Sequence, residues 1–241
     1  MSDAPLGKGT LYLIPVDLGG GDTRVVLPAP VLEIARRLDA FVAENAKSAR
    51  RFLKQAGHLR PLREIRIDVL DPDGGGQAVT DAVARLVAGE DCGLLSEAGC
   101  PAVADPGAAL VRCAHEAGVR VVPLVGPSSI LLALMASGMD GQRFTFHGYL
   151  PADGTQRAGK VKELDARAAA ETQIFIETPH RSAAMLDTLL ETCRPDTLLC
   201  VAADLTLATE RVETCAIKTW KAKPPDLSRR PVVFLLWRSG R

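Results

Sequence analysis

The chain has no Cys-x-x-Cys pair, no apolar run approaching the roughly 18 residues of a membrane span, and no surplus of either charge. Each absence removes a class of protein. The six cysteines (Cys92, Cys100, Cys113, Cys193, Cys200 and Cys215) are scattered, several of them inside apolar runs. That distribution fits buried free thiols in a reducing compartment, and argues against a disulfide frame or a zinc site. Met1 to Lys8 carries no apolar signal core, so a cytoplasmic protein with no membrane partner is expected. With 29 Lys and Arg against 29 Asp and Glu, global charge does not announce a nucleic acid. The sequence has neither an internal repeat nor a low-complexity segment.

Common signatures of chemistry are missing too. Leu18-Gly19-Gly20-Gly21-Asp22 follows a first strand, as a phosphate-binding turn would. It is not Gly-x-Gly-x-x-Gly, and no Lys-Ser/Thr follows, so it reads as a plain turn. Asp71-Pro72-Asp73-Gly74 lacks the downstream bidentate Glu of a calcium loop. His58, His115, His147 and His180 are dispersed, and His115-Glu116 lacks the second His of a zincin, so no metal site is expected. No Gly-x-Ser-x-Gly supports a hydrolase elbow.

What is present is alternation. An apolar fraction of 47% over 241 residues leaves room for one large or two modest domains. Strands are expected at Thr10 to Val16, Ala40 to Ala43, Ile65 to Leu70, Cys92 to Leu95 and Val119 to Val125. Helices are expected at Pro28 to Leu38, Ala46 to Ala56 (closed by Gly57), Gln77 to Ala88, Pro106 to Ala117 and Pro127 to Ala136. Further on come strands at Arg143 to His147, Thr172 to Glu177, Thr197 to Ala203, Val212 to Ile217 and Val232 to Trp237. An exposed, charged helix is expected at Gly154 to Ala170, an amphipathic one at His180 to Cys193, and a Lys/Pro-rich loop between the last two strands. The fold class is α/β: a parallel first domain over residues 1–124 and a mixed second domain over 125–241.

Charge is uneven locally. Lys47, Arg50, Arg51, Lys54, Arg60, Arg63 and Arg66 face Glu64 alone. A second basic segment, from Lys218 to Arg241, has Asp226 as its single acid. Either segment reads as a solvated face or as a surface for a polyanion.

Two turns dominate the reading. Ser96-Glu97-Ala98-Gly99-Cys100-Pro101-Ala102-Val103-Ala104-Asp105-Pro106-Gly107 follows one strand, and Gly126-Pro127-Ser128-Ser129 follows another. A strand ending in small residues before a helix lines a crevice at the carboxyl edge of a sheet. Backbone groups and hydroxyls there suit a small, mostly apolar, zwitterionic ligand.

At these residues the chain resembles the tetrapyrrole-methylase superfamily, whose motif is Ser-Asp-Ala-Gly-Thr-Pro followed by Ser-Asp-Pro-Gly. It is most similar to the branch of ribosomal RNA ribose 2′-O-methyltransferases. Gly9-Thr10-Leu11-Tyr12, Val122 to Ser129, Ala136-Ser137-Gly138, Arg143-Phe144, His147-Gly148-Tyr149-Leu150-Pro151 and Glu177-Thr178-Pro179-His180-Arg181 match in family order. The resemblance implies two α/β domains with a cofactor cleft between them, a homodimer, and S-adenosylmethionine as cofactor. It carries cofactor binding to Ile14, Pro15, Gly99, Cys100, Val103, Ser128 and Ser129, with Ile176, Ala202 and Pro231 around the adenine. His180 and Arg181 would cap the cleft on the substrate side.

The branch has Thr-Pro-Ile-Gly-Asn-Leu-Gly-Asp where this chain has Pro15 to Asp22, and Glu-Asp-Thr-Arg where it has Glu44-Asn45-Ala46-Lys47. These departures fall on the substrate side. They leave the acceptor open between a ribose 2′-hydroxyl of ribosomal RNA and a tetrapyrrole or other small molecule. A paralogue that binds cofactor or RNA without turnover is the non-enzymatic alternative. Methyl transfer to a hydroxyl needs a base, for which Glu44, Asp17 and Asp22 are the candidates. Lys47, Arg50 and Arg51 would meet RNA.

Overall fold

The computed structural model describes residues 7–19, 22–71 and 75–238. The residues before Gly7, the loop positions Gly20 and Gly21, the turn positions Pro72 to Gly74, and Arg241 of the second basic segment lie outside the described residues. The chain divides after Ser128 into two units, Met1–Ser128 and Ser129–Arg241.

In the first unit, strands β1 (Thr10–Ile14), β2 (Ala40–Ala43), β3 (Arg66–Val69), β4 (Cys92–Leu95) and β5 (Arg120–Pro123) form a parallel sheet in the order β3-β2-β4-β1-β5. Helices α1 (Ala29–Arg37), α2 (Ala46–Ala56), α3 (Gln77–Val87) and α4 (Ala108–Glu116) connect them. β2 and β4 are buried along their whole length, because helices cover both faces of the sheet. α1 and α2 pack with Ile14, Val16, Phe41 and Leu95 on one face. α3 and α4 pack with Leu11, Val42 and Leu94 on the other. α2 starts where the Asn45 side chain accepts from the Lys47 and Ser48 amides, at 2.8 and 3.4 Å. It stops at Gly57, whose φ of +77° is a left-handed C-cap.

In the second unit, α5 (Ser129–Ser137) precedes β6 (Phe144–Tyr149), α6 (Gly154–Arg167), β7 (Thr172–Glu177), α7 (Ser182–Thr192), β8 (Leu198–Ala203), β9 (Arg211–Ala216), α8 (Ile217–Ala222) and β10 (Val232–Trp237). The sheet order is β6-β7-β10-β8-β9. β6 and β7 are parallel, and the other pairs are antiparallel. α6, α7 and α8 share a core with Phe175, Val201 and Phe234 on one face. The rings of Phe175 and Phe234 stack there at 5.6 Å. α5 covers the opposite face, and its Ser137 carbonyl accepts a 2.9 Å hydrogen bond from Thr214 Oγ1 of β9.

Three expectations need correction. The helix expected at Gly154 to Ala170 is not simply exposed, because Val161, Leu164 and Asp165 are buried. The Lys/Pro-rich loop contains α8, which is anchored by Trp220 at 1% exposure. The indole N–H of Trp220 donates to Leu199 O at 2.9 Å, so the burial leaves no polar group unmet. The cysteines are all unpaired, but only Cys92, Cys193 and Cys200 are buried; Cys100, Cys113 and Cys215 are partly exposed. No helix among the described residues is long and apolar enough to cross a membrane.

Candidate active site

β1 lies between β4 and β5. The chain leaving β1 runs to β2 on one side, and the chain leaving β4 runs to β5 on the other. The connections part at the carboxyl ends of β1 and β4, which is the switch point where open parallel sheets hold ligands. Val16 N–H donates to Gly99 O there at 2.9 Å, in an isolated bridge that pins the Gly99 loop against the end of β1. Cys100 Sγ donates to Pro127 O at 3.4 Å. A Cβ on Gly126 would stand 2.2 Å from Pro15 Cβ, so glycine alone lets the β5 turn approach. Ile14, Pro15, Gly99 and Cys100 are thereby brought together with Gly126 and Pro127. Ser128 closes the first unit, and Ser129 opens α5 of the second.

The Gly99 loop is conformationally unusual. Ala102 and Ala104 adopt φ of +63° and +64°, alongside Gly99 at +72° and Gly107 at +129°. Val103, held between the two alanines, is 48% exposed. Left-handed non-glycine residues are uncommon and concentrate where a ligand constrains the chain. Ser96, at the head of the loop, is buried, and its Oγ lacks a full hydrogen bond.

Glu44 follows β2 on the same sheet edge, and its Oε2 is buried without a hydrogen-bond partner. Burial holds its carboxyl above the usual carboxylate range, reinforced by Asp105 and then Glu97; the Glu97 backbone amide offsets part of the rise. Asp105 is raised as well, by burial first, with Ser96 offsetting part and Glu97 adding to it. Ser48 Oγ donates to Glu97 Oε1 at 3.1 Å, tying the acidic group to the first turn of α2. The other two base candidates are engaged. Asp17 Oδ1 accepts from Gly19 N–H at 2.8 Å. Asp22 caps the 3-10 turn Thr23–Val25 and pairs with Arg24 at 2.9 Å, and the Arg24 hydrogen bonds hold its carboxyl below the usual range. A carboxylate held in its ionised form by a guanidinium is a poor proton acceptor, which disfavours Asp22 as the base.

Lys47, Arg50, Arg51 and Lys54 are exposed on α2, at the spacing that places them on one face of a helix. No ion pair among the described residues reaches them. The rest of that basic segment is neutralised: Arg60 pairs with Asp39, Arg63 with Glu64, and Arg66 with Asp68. The segment is therefore not one uniform cationic surface.

In the second unit, Val233 of β10 pairs with Ile176 of β7 and with Ala202 of β8. The three form a row across the sheet on the face that α5 covers. Beyond the end of α5, Asp140 O accepts from Thr172 Oγ1 at the amino end of β7 at 2.8 Å, while Ile176 and Ala202 stand toward the carboxyl ends of β7 and β8. Pro231 enters β10 at the same end. His180 is exposed in the turn before α7. Arg181 is not a free cation. It pairs with buried Glu177 at 2.7 Å and donates to Leu150 O at 2.9 Å, so it locks the turn and does not offer charge to a substrate.

Sequence reasoning missed Val233, Asp105 and Glu97 as members of these sites. Val233 is one apolar residue in an apolar strand, and only strand pairing singles it out. Glu97 and Asp105 lie within the loop motif, but nothing in sequence spacing brings them to Glu44.

The crevice, the small-residue loops and the carboxylate belong to a protein of two α/β units. The profile of the Tetrapyrrole (Corrin/Porphyrin) Methylases matches residues 16–220, and the chain belongs to that family. It is a methyltransferase of the S-adenosylmethionine-dependent kind. More particularly, it is 35% identical to the Ribosomal RNA small subunit methyltransferase I of Xylella fastidiosa (strain Temecula1) over 205 residues, 85% of this chain and 71% of that protein. It is 31% identical to the protein of that name from Escherichia coli O157:H7, over 85% of this chain and 68% of the relative. It is 30% identical to the one from Vibrio cholerae serotype O1, over 96% and 78%.

Proposed function

We propose that this enzyme methylates a ribose 2′-hydroxyl of ribosomal RNA, with Glu44 as the base. The observation that carries the RNA reading is the stripe of unpaired cations Lys47, Arg50, Arg51 and Lys54 on α2. It spans about 10 Å of helix and begins three residues after Glu44. The first turn of α2 holds no acid. Of the stripe, only Lys47 lies in that turn, where a cation lowers helix stability and a polyanionic partner would offset the cost. The relatives' names, which specify small-subunit ribosomal RNA, support the same acceptor.

The cofactor fits the residues present. In the first unit the proposed contacts are Ile14, Pro15, Gly99, Cys100, Val103 and Ser128; in the second unit, taken by itself, they are Ser129, Ile176, Ala202 and Pro231. Gly99 is left-handed, and a Cβ there would stand 3.3 Å from Leu18 Cδ2 and 3.5 Å from Pro127 O, so the loop is fitted closely around a glycine. S-adenosylmethionine, when bound, supplies a sulfonium-activated methyl group. Glu44 accepts the hydroxyl proton; its raised carboxyl is the stronger base for that transfer, and its Oε2 has no competing donor. The cationic stripe holds the phosphates flanking the acceptor, and exposed His180 is the substrate contact proposed for the second unit. The reading includes a cytoplasmic location and a homodimer, for which sedimentation gives the direct test.

Mass spectrometry of ribosomal RNA nucleosides from cells with and without the gene decides the acceptor. One 2′-O-methyl nucleoside should disappear with the gene. An unchanged nucleoside profile would give the small-molecule acceptor precedence. Binding of single-stranded RNA should weaken with salt at a log–log slope of roughly −0.7 per phosphate contact. Replacing Arg50 and Arg51 with Glu should weaken binding and flatten that slope, with cofactor affinity unchanged. Gly99→Val, forced into a left-handed conformation, should abolish S-adenosylmethionine binding in titration calorimetry.

A further inference from the structure

The exit of β8 and the entry of β10 are joined by a polar clamp that the proposed reaction does not use. Arg230 Nε donates to Asp204 Oδ2 at 2.7 Å, and Thr209 Oγ1 donates to the same oxygen at 2.8 Å. Arg230 Nη2 donates to Thr209 O. The backbone closes the ring, with Asp204 N–H donating to Pro231 O at 3.2 Å and Ser182 Oγ donating to Arg230 O at 2.8 Å. Asp204 is buried and the Arg230 side chain is mostly buried.

Three residues around this clamp take left-handed backbone without being glycine: Asp204 at φ +52°, Thr206 at +70° and Arg229 at +60°. For the β-branched Thr206 this conformation is a marked outlier. Strain of this kind persists where the surroundings over-determine the chain, and it clusters at ligand clamps. The clamped residues adjoin the proposed adenine contacts. Asp204 is two residues past Ala202, and Arg230 immediately precedes Pro231. Val233, paired with both Ala202 and Ile176, is the second residue of β10. Moving Asp204 relative to Arg230 would displace both Ala202 and Pro231.

We propose that Asp204 and Arg230 are a positioning pair that sets the spacing of Ala202 and Pro231 for the adenine of S-adenosylmethionine. The proposal rests on the cofactor reading given above. The pair does not touch the reacting atoms, so it governs cofactor affinity and not the chemical step. It also removes Arg230 from the cations available to RNA in the second basic segment.

The test uses the full chain, with S-adenosylmethionine and its demethylated product as probes in titration calorimetry. Arg230→Met, which keeps length and loses the fork, should weaken cofactor affinity about tenfold, the scale of one charged hydrogen bond. KM for the cofactor should rise by the same factor while kcat stays within about twofold. Arg230→Lys should recover part of the loss, because it restores charge without the bidentate geometry. Asp204→Asn and Thr209→Val provide the same reading should Arg230→Met fail to fold. Arg194→Met serves as the comparison for stability alone. It breaks the 3.6 Å Arg194–Asp165 pair before the other end of β8, and should lower the melting temperature without changing cofactor affinity. Unchanged affinity in Arg230→Met, or an equal loss in Arg194→Met, overturns the positioning role. A wild-type protein that binds neither probe overturns the cofactor reading itself.

Discussion

Two loops of this protein use the same rare backbone to different ends. The loop from Ser96 to Gly107 and the segments around Asp204 and Arg229 each hold left-handed residues that are not glycine. In the first, most side chains are small, Val103 is exposed, and the buried Oε2 of nearby Glu44 lacks a partner. In the second, the Asp204 carboxylate, the Arg230 guanidinium and the Thr209 hydroxyl satisfy one another. Unsatisfied buried groups cost stability and persist where a ligand or a reaction needs them. Mutually satisfied groups fix geometry. The contrast separates a loop that works on ligand from one that holds the frame.

The largest effect expected is on Glu44. Glu44→Gln should reduce kcat by about a hundredfold or more while leaving cofactor affinity intact, measured by single-turnover methyl transfer and calorimetry. The same change should stabilise the fold. Burial holds the Glu44 and Asp105 carboxyls above their unfolded values, so the folded state binds these protons more tightly. Stability therefore falls as pH rises from the ordinary carboxylate range through the raised folded values, and that loss persists at neutral pH. The Gln variant should melt higher than wild type at about pH 8, and the difference should close on acidification below the unfolded carboxylate pKa. A variant that loses activity and stability together would mark Glu44 as structural.

The next effect sharpens the contrast through stability. Trp220→Ala removes a buried indole from the second unit's core and its hydrogen bond to Leu199 O, and should cost about 3–5 kcal/mol in denaturant unfolding. Ser96→Ala in the first unit removes only a buried hydroxyl and its hydrogen bond to Asp105, and should cost about 1 kcal/mol. Equal losses would show that the Ser96 hydroxyl holds the first unit as strongly as the Trp220 indole holds the second.

The smallest effect falls on the left-handed alanines. Ala102→Gly and Ala104→Gly relieve a conformation that costs roughly 1–2 kcal/mol per residue but add unfolded-chain entropy worth about 0.4–1 kcal/mol. Each should raise stability by no more than about 1 kcal/mol in thermal unfolding. Cofactor binding should weaken slightly as the loop loses preorganisation. A clear loss of stability in either variant would mean that the methyl packs and the backbone is not strained.

Much of the frame was legible from residues. β2, β4 and α2 stand where apolar runs, Asn45 and Gly57 predict them, because burial on both faces and helix capping leave local signatures. The cationic spacing on α2 is also a local property. α8 was not legible, since Ile217–Ala222 is short and rich in lysine; Trp220, reaching into the core, gives it a reason to form. The engagement of Arg181 was not legible for a similar reason, because a charged residue in a motif does not reveal that buried Glu177 already holds it.

By itself, the sequence determined the order of the strands and of the helices other than the short α8, the glycine turns at the carboxyl edge of the first sheet and the family, since each depends on neighbours along the chain. Tertiary structure decided which groups are free and which are engaged. It brought Asp105 and Glu97 to Glu44, set Val233 between Ile176 and Ala202, and paired Asp204 with Arg230. Those contacts join residues far apart in the chain, and whether a carboxylate there acts as base, cap or clamp depends on its burial and its partner, which no local pattern encodes.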